Sequence, residues 1–93
     1  MMANEKVYLK DPAAILDYAF DWSTWLTSGD SIVSATVVAE TGLTVDSSAA
    51  SGTAVTAWLS DGEPGDLYRV TCQVVTTAGR VDERTMLIEV VQR

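Results

Sequence analysis

An all-β sandwich is the fold this chain predicts, and three observations predict it. Tyr68, Val70, Cys72 and Val74 lie on one side of a period-2 pattern, with Arg69, Thr71 and Gln73 on the other, the mark of a strand with one wet face. Turn residues recur at intervals of roughly 8 to 12 along the whole chain, as short consecutive strands require. No stretch keeps apolar residues at helical spacing long enough for a sizeable helix.

Residues 1–14 carry both lysines, Lys6 and Lys10, around the apolar trio Val7, Tyr8 and Leu9. Pro12 biases Asp11 away from helix and ends any strand near Lys10. This segment reads as an extended arm ahead of a single sandwich domain over residues 15–93. Such an arm can add a strand to an exposed sheet edge, its own or a neighbour's. Ile15 to Trp22 puts Leu16, Tyr18, Phe20 and Trp22 on one side and Asp17, Ala19 and Asp21 on the other. A helix would scatter those aromatics and set Asp17 beside Asp21, a repulsive i,i+4 pair, so the segment is a strand. Ser23 to Thr27 forms a turn or short 3₁₀ segment, and Ser28-Gly29-Asp30-Ser31 is a turn by composition.

Ile32 to Glu40, rich in β-branched residues, is the next strand. It is followed by Thr41-Gly42 and a short strand at Leu43 to Asp46. Ser47 to Gly52 is small, polar and low in complexity, which predicts a loop. From Thr53 to Ser60, Val55, Ala57 and Leu59 face one way and Ala54, Thr56 and Trp58 the other. Trp58 therefore reaches the core through a bulge or stands on the surface. Asp61 to Asp66 is an acidic turn before a final hairpin, whose second strand alternates Met86, Ile88 and Val90 with Thr85 and Glu89. Leu87 alone breaks that alternation.

About seven short antiparallel strands in this arrangement make an immunoglobulin-like sandwich. Tyr68 sits near the start of the penultimate strand, as a tyrosine-corner residue does, but four residues before Cys72 where immunoglobulin domains have two. The expected core is Tyr18, Phe20, Trp22, Val55, Leu59, Tyr68, Val70, Cys72, Ile88 and Val90. Cys72, the single cysteine, is expected to be a buried, inert thiol.

Chemistry is sparse. There is no histidine, which removes the commonest general base and metal ligand, and the two lysines lie in the arm. Asp17 and Asp21 share a strand face at about 13 Å, too far apart to divide one reaction. Asp61, Glu63 and Asp66 lack the spacing of a calcium loop and read as a surface turn. No enzyme activity, metal or cofactor is expected. With 13 acidic against 6 basic residues and a net charge of −7, nucleic acid and anionic membrane are poor partners.

The order and spacing of K-D-P-x-x-x-L-D-Y-x-F-D-W (Lys10 to Trp22), W-L-x-x-G-D-x-I (Trp25 to Ile32), V-T-A-W-L-S-D-G (Val55 to Gly62) and the run from Gly65 to Arg84 resemble the fiber-tail adaptors, a family of small tailed-phage proteins. The resemblance implies an immunoglobulin-like virion component, assembled in the host cytoplasm. It would link a fibre or collar element to the tail or neck, in multiple copies within a symmetric assembly. Val7, Tyr8 and Leu9 of the arm, with Trp25 and Trp58, are the candidate interface residues. A carbohydrate-binding or adhesin-type module is the alternative, because exposed tryptophans such as Trp25 or Trp58 also stack on sugars.

Overall fold

The computed structural model describes residues 6–92. Seven strands follow one another: β1 (Val7–Lys10), β2 (Leu16–Asp21), β3 (Ile32–Ala39), β4 (Leu43–Ser51), β5 (Ala54–Asp61), β6 (Leu67–Thr76) and β7 (Val81–Val90). They form a four-stranded sheet in the order β1-β7-β6-β3 and a three-stranded sheet in the order β2-β5-β4. Strands β2 to β7 occupy the places of B to G in an immunoglobulin domain, with the first strand carried across to the sheet of the last.

Between the sheets lie the inward residues of each strand. Val55, Ala57 and Leu59 come from β5, Val70, Cys72 and Val74 from β6, and Ile88 and Val90 from β7, each fully buried. Phe20 and Trp22 close the core from the β2 side. Of the ten expected core residues, Tyr18 alone is half-buried. Its ring lies 5.7 Å from that of Tyr8, and its hydroxyl donates to the carbonyl of Leu9.

Two elements differ from expectation. Ser47–Ser51 is not a loop: β4 continues through Ser51 and pairs with β5 from Ser47↔Trp58 to Ser51↔Ala54. Serine and alanine carry little strand preference of their own, and the partner supplied by the β4–β5 hairpin decides their conformation. Those five side chains are all exposed, so nothing in their pattern announces a strand. The second difference is direction, since β1 pairs with β7 in parallel, from Val7↔Leu87 to Lys10↔Val90. The Asp11–Ala14 turn, closed by Ala14 N–H donating to the Asp11 carbonyl at 3.0 Å, then passes the chain to the opposite sheet.

Lys10, at the end of β1, is buried. Its ammonium donates to the carbonyls of Asp61 (2.7 Å) and Asp11 (3.0 Å), tying the first strand of one sheet to the end of β5 in the other. Burial pulls its pKa below the ordinary lysine value, against the raising influence of Asp61, Asp11 and Asp46.

The corner before β6 is built around Tyr68. Its buried ring ends in a hydroxyl that accepts the N–H of Glu63 at 2.9 Å and donates weakly to the Asp66 carboxylate. The tyrosine corner is thus present despite the unusual distance to the cysteine. The chain reaches it through Asp61 and Gly62, both at positive φ. A Cβ on Gly62 would stand 2.6 Å from a methyl of Val90, so only glycine fits there.

Candidate docking surfaces

The interface candidates fall in three separate places. On β1, Val7 and Leu9 point to the outer face of the four-stranded sheet and are about half exposed, whereas Tyr8 turns inward against Tyr18. Trp25 lies in the β2–β3 loop. Trp58 stands on the outer face of the three-stranded sheet, 44% exposed. The bulge in that sheet is on β4, between Val45 and Ser47, so it leaves the alternation of β5 intact and Trp58 on the surface.

Around Val7 and Leu9 the register assembles an apolar patch that the sequence did not connect. Val7 is opposite Leu87, while Leu9 is opposite Glu89, which is itself opposite Leu67. Leu87 breaks the alternation of β7 because it belongs to this outer patch, half-covered by β1. Leu67 is exposed and adjoins a shallow concavity of about 530 Å³ lined by Ala39, Glu40, Asp66 and Tyr68. The signal for this patch was an outward leucine in one strand and an outward valine about 80 residues earlier, and only the β1–β7 ladder brings them together.

Trp58 has a different setting. Its cross-strand neighbours are Asp17 on β2 and Ser47 on β4, and the rest of that outer face is largely Ala, Ser and Thr. Trp58 is thus one large exposed aromatic among small side chains, with Asp17 beside it.

Trp25 is half-buried and already engaged. Its ring lies edge-on to Trp22 with centroids 5.1 Å apart, and the Arg80 guanidinium sits 4.1 Å from its ring. Arg84 stacks in the same way on Trp22 at 4.2 Å and donates to the Asp21 carbonyl. Arg84 of β7 and Arg80 of the turn before it thus clamp the loop that follows β2, a role given by cation–π geometry and not by any sequence motif.

At the same end, Asp30 accepts from the hydroxyl of Thr77 (2.7 Å) and from the N–H groups of Ser31 (2.9 Å) and Ala78 (3.1 Å). Its second oxygen is 3.9 Å from Arg80. These donors, the Thr77 hydroxyl foremost, hold its carboxyl below the usual range. Asp21 is held low chiefly by the N–H of Ser23. In the acidic turn, Asp61 accepts from the Thr44 hydroxyl and Asp66 from Tyr68, so these carboxylates fasten the corner. Among the described residues no three His, Cys, Asp or Glu side chains come together as a metal site, and no helix is long and apolar enough to cross a membrane.

Fold and surface define a small immunoglobulin-like module with an apolar patch on one outer face and a single exposed tryptophan on the other. A family model described as podophage GP4 fiber-tail adaptor protein gp77 matches residues 10–89. The chain belongs to this family, and it is a structural fibre–tail adaptor of a phage virion. No curated protein matches it.

Proposed function

We propose that the domain joins a fibre or collar element to the tail or neck by holding a different protein on each outer face. The observation that carries this reading is the division of exposed apolar side chains. Val7, Leu9 and Leu67 stand on the face of the four-stranded sheet and Trp58 on the face of the three-stranded one, back to back across the core. A coupling piece needs two such surfaces, each with an apolar centre and a polar rim. The acidic surface, net −7, suits protein neighbours and repels nucleic acid and anionic lipid. Several copies placed around a symmetric tail in the host cytoplasm would repeat the same pair of contacts.

The test is complementation of a phage lacking the protein with Leu9→Lys or Trp58→Ser, followed by identification of the virion proteins that copurify with each variant. Leu9→Lys places an ammonium opposite Glu89 and leaves the sheet intact. Each variant is expected to lose one neighbour and keep the other. Normal particles from both variants would sink the proposal.

A further inference from the structure

We propose that β3 is an open pairing edge whose occupant is the β3 of a second copy of this chain, the two strands running antiparallel about a two-fold axis at Val37. The sandwich has four edges, β1 and β3 in one sheet and β2 and β4 in the other, and three of them are guarded. β1 is only four residues long, follows Lys6, ends in Lys10 and is succeeded by Pro12. β2 carries Asp17 and Asp21, which a two-fold pairing about Ala19 would set against each other. β4 is interrupted by its bulge, with Asp46 at that point. These are the devices by which edges are kept from pairing.

β3 has no such protection over most of its length. From Ser31 to Ala39 there is no charged residue and no proline, and five of the nine positions are β-branched. Its one irregularity lies between Ile32 and Ser34, so Ser34 to Ala39 is regular. Val33 and Val38 are each 61% exposed. Glu40 donates its N–H to the Arg69 carbonyl of β6. By strand alternation Ala35, Val37 and Ala39 therefore turn their N–H and C=O groups away from β6, toward the open side.

A strand that fills this edge should be extended, uncharged and β-branched, and β3 itself meets that description. Pairing about Val37 sets Val37 against its counterpart and Ala35 against Ala39, with about six backbone hydrogen bonds. On the outer face it sets Thr36 against Val38. The charges favour this arrangement as well. Glu40, Asp61, Glu63 and Asp66 are all at one end of the sandwich, and antiparallel pairing sends the acidic ends of two copies in opposite directions. Two isologous edges would fuse the four-stranded sheets into one continuous sheet.

The experiment is sedimentation of the purified full chain from micromolar to millimolar concentration, with amide exchange followed across the same range. A dimer is expected, with the amides of Ala35, Val37 and Ala39 slowing as concentration rises. Ala35→Pro removes a donor that points away from β6, so the β3–β6 ladder survives, and Val38→Lys adds a charge at an exposed position. Each should weaken the dimer at least tenfold while leaving the far-UV spectrum unchanged. Val38→Lys decides the matter if Ala35→Pro fails to fold. A wild-type chain that stays monomeric throughout, a dimer that Val38→Lys retains, or one that protects β1 instead of β3, overturns the proposal.

Discussion

Asp30 shows how a single carboxylate can hold together two loops that are distant in sequence. Its oxygens gather donors from Ser31 beside it and from Thr77 and Ala78 in the β6–β7 turn, so the turn is pinned to the end of the β2–β3 loop. Those donors favour the charged form and place its folded pKa below the ordinary 3.8. Because the folded value is the lower one, the stability it contributes is fully present above the unfolded pKa. That contribution is lost as pH falls through the folded pKa. Asp30→Asn is therefore expected to lower the urea midpoint at neutral pH, with the gap to wild type closing in acid. A gap that stays constant with pH would show that the hydrogen bonds hold equally well without the charge. Trp22 and Trp25 sit at the same end, Trp22 under Arg84 of β7 and Trp25 under Arg80 of the β6–β7 turn, so polar and cation–π contacts join burial in holding this region.

Strand by strand, β1 has the fewest residues and makes the longest reach. Its Lys10 is separated from Asp61 by 51 residues in sequence, yet the bond between them links the two sheets. Replacing Lys10 by Ala leaves the Asp61 carbonyl without its donor and should cost about 1 to 3 kcal/mol. Chemical denaturation measures this, and an unchanged midpoint would mean water substitutes for the ammonium. The burial of Lys10 was not legible in the sequence, because a lysine beside an apolar trio ordinarily extends into water, and one of the two carbonyls that make its burial tolerable, that of Asp61, is remote in sequence. Strand β4 hid for a related reason, since Ser47–Ser51 is held as strand by pairing with β5 and by nothing in its own side chains. Strand β6 was legible from end to end. One of its faces is core and the other water, so burial wrote an alternation from Tyr68 to Val74 that needs no knowledge of neighbours. The docking candidates were readable as residue types but not as places. Trp25 is half-buried against Trp22 and Arg80, Tyr8 turns inward, and Leu87 and Leu67 join the Val7 patch through the β1–β7 and β6–β7 registers.

For the molecule as a whole, Cys72 is a reporter of opening. It is fully buried at the centre of the four-stranded sheet, and burial pushes its thiol above the ordinary cysteine range. Reaction with a thiol reagent is expected only when the sandwich opens, so the labelling rate should fall with each stabilising condition. Rapid labelling of the native protein would contradict the core described above. The parallel pairing of β1 with β7 has a mechanical meaning too. Leu87 donates to the Lys6 carbonyl at the start of the ladder and Val91 to the Lys10 carbonyl at its finish, so the two strands run side by side and lead out of the domain at opposite ends of the ladder. Tension applied between the chain's two ends slides β1 along β7. All their hydrogen bonds are then loaded together in shear, and the ladder is not peeled open one bond at a time. The strand that enters the sandwich and the strand that leaves it thus form a clamp that bears a pull along its own length.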